Sequence, residues 1–180
     1  MAPNKSFVLL AAILLVAAVG QVHSALPAGL LSSPPSTAIN NPIGVITGVV
    51  PCSIGNNINV TAVPPFANAM VLVVCGNTTV ASATTNGSGT FVINLGPLLN
   101  MTTAVVTCLL TNQARVVVTT PLAACNVSLT GANGTLGAPL QVLNGTQGAV
   151  ASVFGIIVPT TNLVVTIIAL TFSYLTALIG

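Results

Sequence analysis

No acidic side chain occurs in this chain: its 180 residues include neither Asp nor Glu. The charged residues are Lys5 and Arg115, 1% of the sequence, against roughly 25% in an ordinary soluble domain. This excludes whole classes of chemistry. Paired-acid glycosidases need two carboxylates. Calcium and magnesium cages are built from carboxylate oxygens, and a Ser-His-Asp triad needs its orienting acid. One Arg does not make a basic patch, so nucleic-acid binding has no electrostatic footprint. Nor does the chain read as disordered, because 53% of it is hydrophobic and disorder goes with low hydrophobicity and high charge. A membrane protein, an apolar structural protein, or a secreted domain hydrated by something other than charge remain.

The first residues choose among these. Lys5 is followed by an unbroken run of apolar or small residues from Phe7 to Val19. Val22 and Ser24 occupy the positions where a signal peptidase wants small side chains. Residues 1–24 therefore read as a secretory signal peptide cleaved after Ser24; the run is short for a membrane anchor. Cleavage removes Lys5 and the single His, His23, leaving Arg115 as the charged side chain of the mature chain. With no His, Asp, Glu or Lys, the usual general bases are missing, and Ser or Thr has no partner to activate it. The expectation is a non-enzyme without cofactor or metal.

Polarity can come from sugar instead. Seven Asn-x-Ser/Thr sequons follow the signal, at Asn59, Asn77, Asn86, Asn100, Asn126, Asn133 and Asn144. Each alone is a short motif; seven in a secreted chain without charge read as N-glycosylation sites, whose glycans supply the solvated surface. Asn126 adjoins Cys125, where crowding competes with the transferase.

The four cysteines, Cys52, Cys75, Cys108 and Cys125, are an even number in an oxidising compartment. Their spacings match no zinc pattern. Two structural disulfides are expected, with three connectivities open. No neighbouring cation or His lowers a thiol pKa for redox work.

Residues 25–42 are rich in Pro, Ser and Ala and read as an extended leader. From residue 43 to 180 the texture is Val, Ile and Thr broken by Gly, Asn and Pro, with no apolar stripe opposite a charged face. Helix is therefore not expected, and strands are. Candidates span 44–50, 57–63, 70–75, 79–84, 90–95, 105–110, 114–119 and 125–130, with weaker ones at 140–143, 154–158 and 163–170. The fold class is all-β: a small antiparallel β-sandwich or barrel of about seven or more short strands with two disulfides. Asn86-Gly87, flanked by alternating residues, predicts a tight hairpin turn with positive φ angles. The apolar tail, 163–179, reads as a terminal strand or strand pair. A lipid-anchor signal and a spanning helix compete with that reading, but the run is short for a helix and lacks a polar spacer.

Several segments together resemble a known family. GVITGVVPC, from Gly44 to Cys52, is similar to the opening of the pollen Ole e 1 allergen and extensin-like domain, and TTNGSGTF, from Thr84 to Phe91, to its hairpin. GPLL (96–99) and TPLAACNVSL (120–129) narrow the resemblance to the phylloplanins, secreted plant leaf-surface glycoproteins. It covers roughly residues 43–158. The resemblance implies a β-sandwich or barrel. It also implies a connectivity: the pollen-type domain pairs its six cysteines first to fifth, second to sixth and third to fourth. This chain lacks the second and sixth, which leaves Cys52 with Cys125 and Cys75 with Cys108.

The implied role is antimicrobial defence at the plant surface, by inhibition of fungal or oomycete spore germination and without catalysis. The expected partners are a microbial spore or cell-wall surface, or plant cuticle and wall polysaccharide. A structural, extensin-like wall protein and a lipid- or membrane-attached surface protein are the alternatives. Net charge near zero also favours self-association. Arg115 reads as a solvated residue at a strand start, with anionic-sugar binding as the sharper alternative.

Overall fold

The computed structural model describes residues 41–143, 150–161 and 163–176. The stretch expected to be a signal peptide, all but the last two residues of the expected leader, and the Asn144 sequon lie outside these. Within them the chain is mainly β, as its Val, Ile and Thr content requires.

Seven strands form one nearly closed, barrel-like sheet: β1 (Ile43–Val49), β2 (Met70–Cys75), β3 (Thr78–Thr84), β4 (Thr90–Pro97), then β5 (Arg115–Val118), β6 (Gly134–Val142) and β9 (Val164–Ala169). Their order is β3-β2-β5-β6-β9-β1-β4. A hairpin of β7 (Val150–Val153) and β8 (Ile156–Pro159) stands apart. The last described strand, β10 (Ser173–Thr176), pairs with β6. The strand pairings are antiparallel except that of β1 with β9, which is parallel, with Ile43 opposite Val164 and Thr47 opposite Ile168. These two strands lie far apart in sequence, so no tight turn imposes an antiparallel pairing on them.

Alternation builds the core. Ile46, Val71, Val73, Phe91, Ile93, Val116, Val118, Leu136, Leu140, Val165 and Ile167 point inward and are buried, as the two-residue period of a strand demands. Each large side chain withdrawn from water contributes roughly 1.5–3 kcal/mol. Gly48 makes room for one of them, since a Cβ there would lie 2.7 Å from the Phe91 ring.

The described part of the tail expected as strand, 163–176, holds two strands. β9 and β10 run in succession along one edge of β6, with Leu170, Thr171 and Phe172 opposite Ala138 and Pro139. This is one residue too many, a bulge. Pro139 suits the place: its carbonyl accepts the Leu170 N–H at 2.9 Å, and the N–H it lacks would have pointed at the bulge.

The strand directions give the barrel two ends. Connections 50–69, 85–89 and 119–133 lie at the upper end. Connections 76–77, 98–114 and 143–163 lie at the lower end. Each end has one disulfide: Cys52–Cys125 joins two upper connections, and Cys75–Cys108 ties the foot of β2 to the lower connection. This is the pairing the family resemblance implies.

Three expected strands are replaced by other structure, and a fourth, at 154–158, is shifted to Ile156–Pro159. Residues 105–110 are helical: α1 (Thr103–Leu110) buries Val106, Leu109 and Leu110 against the lower end. Thr103, Ala104 and Thr111 face solvent. In a chain with so few charges, hydroxyls mark the polar face, and no charged stripe announces the helix. The helix ends with Asn112 at φ 60° and the Gln113 N–H on the Cys108 carbonyl at 3.0 Å, a Schellman stop with Asn in place of Gly. Residues 125–130 form 3-10 turns instead of a strand. Residues 57–63 are mostly turn, tethered where the Ile58 N–H reaches the Phe172 carbonyl at 2.8 Å. Residues 154–158 begin with the two-residue turn Phe154-Gly155, φ 49° and 81°, that joins β7 to β8.

The Asn86 turn is also built differently. It is tight, with the Gly89 N–H on the Asn86 carbonyl at 2.9 Å, but β3 and β4 are opposite edges of the sheet and form no hydrogen-bonded ladder. The positive φ belongs to Gly89, at 73°, not to Asn86 or Gly87. Residues 134–139, not expected as strand, form most of β6. Their Gly and Pro content hid them.

Candidate functional site

No group of three or more His, Cys, Asp or Glu that could hold a metal exists among the described residues. All four cysteines are in disulfides. What the molecule offers is a distribution of exposed amide, hydroxyl and apolar groups.

The sequons occupy the two ends. Asn59, Asn86, Asn126 and Asn133 lie in upper connections; Asn77 and Asn100 lie in lower ones. All six are exposed, and none lies within a strand. Three share one local geometry. The backbone N–H and hydroxyl of Thr61 both donate to Asn59 Oδ1, at 3.0 and 2.8 Å. Ser88 does the same to Asn86, at 3.0 and 2.7 Å, and Ser128 to Asn126, at 3.0 and 2.8 Å. The Thr90 N–H adds a third bond to Asn86 Oδ1 at 3.0 Å. These are Asx-turns, the local bonding by which Asn starts a turn. The oxygen of each carboxamide is engaged, and these bonds leave its nitrogen, the atom that carries an N-glycan, unused.

The barrel wall between the ends carries no sequon. Around β4, β1 and β9 its outer face presents Val45, Thr47, Val92, Thr166 and Ile168; Val92 is 62% exposed. Beyond the last β1–β9 pair, Thr47 with Ile168, the strands part. A groove of about 600 Å³ opens there, lined by Val49, Ile58, Asn59, Val60 and Leu170. A glycan on Asn59 would therefore rise from the rim of an apolar groove.

Arg115 is exposed at the first position of β5, where the sequence put it at a strand start. Its neighbours across the sheet are Val74 and Pro139. The sequence did not show that it borders a cavity.

Comparison with known proteins bears on these features together. No curated protein and no solved structure shows a significant match. A family model described as phylloplanin antifungal protein matches residues 42–168. That span runs from the residue before β1 into β9 and includes both disulfides. It covers well over half of the chain, which therefore belongs to the phylloplanin family.

Proposed function

We propose that this chain is a secreted, N-glycosylated protein of the plant surface that acts against fungi or oomycetes by contact, inhibiting spore germination without catalysis. The family match over residues 42–168 carries this reading. The lack of acidic residues throughout the chain supports a non-catalytic mode, because the usual general bases are missing. The exposure of six sequon asparagines at the barrel ends supports glycans as the hydrating surface. The bare wall of Val, Ile and Thr is the part suited to a waxy cuticle or a spore coat.

The test has two arms. The protein is purified from a water wash of intact leaves, and its intact mass is measured before and after N-glycan removal. The expected deglycosylated mass is that of residues 25–180 with two disulfides. The same preparation, with and without its glycans, is then applied to germinating spores, and dose-dependent inhibition is expected. Recovery in the bound wall fraction alone, with no effect on spores, would instead make it a structural wall protein. Loss of the last strands together with a lipid-glycan remnant would make it a tethered one. That outcome conflicts with the fold, because β9 lies in mid-sheet between β6 and β1.

A further inference from the structure

We propose that the outer face of β5, β6 and β10 binds one carboxylate-bearing sugar residue, a uronate, with Arg115 as its anchor. This goes beyond the defence reading and stands independently of it.

A cavity of about 280 Å³ lies on this face, lined among others by Asn112, Gln113, Arg115, Pro139, Ser173 and Leu175. Its shape depends on Gly137, over which the Leu175 side chain packs. A Cβ at Gly137 would lie 2.7 Å from Leu175 Cδ1 and 3.4 Å from the Val116 carbonyl, so any other residue pushes Leu175 out of its place in the cavity wall.

Three features of the cavity select the ligand. First, Arg115 is exposed, and the chain has no Asp or Glu. Its counter-charge comes from outside, and a guanidinium fits a carboxylate in a bidentate pair. Second, the polar groups are placed for hydroxyls. Asn112 is held at φ 60°, with its Oδ1 accepting the Val142 N–H at 3.3 Å. Gln113 lines the cavity beside it, on a backbone held by its N–H to the Cys108 carbonyl. Ser173 Oγ accepts the Asn57 N–H at 3.0 Å and keeps its own hydrogen to donate. Third, Pro139 and Leu175 offer an apolar wall to the C–H face of a pyranose ring.

One cation matches one carboxylate. A phosphate carries more charge and wants several cations or a cluster of backbone N–H groups, and a neutral hexose leaves Arg115 unpaired. The volume lies just under the usual range for drug-sized ligands, about 300–1,000 Å³, and suits a single ring.

The test is a titration of the ¹⁵N-labelled secreted protein with sodium galacturonate and sodium glucuronate. Galactose, glucose and inorganic phosphate at matched ionic strength are the comparison. Expected are saturable amide shifts at Gln113, Arg115, Gly137 and Ser173 with one or both uronates and not with the other three. Arg115→Gln, a surface change that leaves the fold intact, weakens binding by about tenfold or more, the loss of one charge-assisted pair. Gly137→Val, with an otherwise native spectrum, abolishes it. Equal shifts with galactose or with phosphate, or unchanged uronate binding by Arg115→Gln, would overturn the proposal.

Discussion

Thr85 donates its hydroxyl hydrogen to the Phe66 carbonyl at 2.6 Å from a position 2% exposed. The same oxygen accepts the Ala69 N–H at 2.8 Å. The Thr85 N–H meets the Ala69 carbonyl at 2.9 Å, and the Thr85 carbonyl takes the Asn68 N–H at 3.1 Å. One threonine thus clamps the long upper connection, with buried Phe66, to the turn between β3 and β4. Thr85 lies in the TTNGSGTF segment, so part of that motif's work is to hold the upper end closed.

Replacing this residue tests the clamp. Thr85→Val keeps the shape but leaves the Phe66 carbonyl and the Ala69 N–H buried without their partner, a cost of roughly 1–3 kcal/mol. Thr85→Ser retains the hydroxyl and costs less. Urea denaturation of both variants against the parent measures the difference, and equal midpoints for all three would remove the hydroxyl from the account.

The two glycines of the motif differ in what they tolerate. Gly89 sits at φ 73°, and a Cβ there would lie 2.8 Å from the Val50 carbonyl oxygen and 3.1 Å from the Phe66 nitrogen. Its left-handed conformation alone costs an L-residue about 1–2 kcal/mol, so Gly89→Ala loses more than that. Gly87 meets nothing within 4 Å, and Gly87→Ala stays within about 0.5 kcal/mol of the parent. Thermal unfolding of the pair reads the contrast directly.

The disulfides act on separate ends. In the chain-entropy model, loops of 73 and 33 residues make each bridge worth roughly 4 kcal/mol, slightly more for the longer. Removing Cys52 and Cys125 together is expected to raise amide exchange first at Val50, Phe66 and the 121–132 segment. Removing Cys75 and Cys108 together acts first on α1 and the foot of β2. Uniform loss of protection in both variants would show that the ends unfold as one unit.

Acid leaves the fold intact. Stability changes with pH only through groups that bind protons differently in the folded and unfolded states. From residue 25 onward the chain has no Asp, Glu or His. No carboxylate side chain with a depressed folded-state pKa exists, so none is protonated as pH falls and no stability is lost that way. The melting temperature of the chain from residue 25 onward at pH 3 should match that at pH 7. A drop of more than about 4 °C, roughly 1 kcal/mol for a domain of this size, would require a titrating group the side chains do not supply.

Some of this was legible from residues alone. β2 lies over the expected 70–75 and β3 starts one residue early, because continuous Val-rich or alternating runs bounded by Gly and Asn are local signals. The bridges matched the pairing implied by resemblance, while residue reasoning by itself left three connectivities open. Arg115 was legible as a strand start, but its cavity was not. Gly137, Ser173 and Leu175 are distant in sequence and meet it only across the β5–β6–β10 register.

What the sequence determined by itself was what the chain is made to be: β-rich through its branched side chains, and short of the usual catalytic groups through the lack of acids. Tertiary structure decided where elements of ambiguous propensity ended up. Residues 105–110 have strand composition, yet they coil into α1 because Val106, Leu109 and Leu110 cover the lower end and Cys108 is bonded to Cys75. β6 contains Gly134, Gly137 and Pro139, yet it is a central strand. Leu175 and Tyr174 pack where its glycines lack side chains, and the bulge lies where the proline N–H is missing. Burial and pairing partners set those outcomes, and neither is a property of a short stretch of sequence.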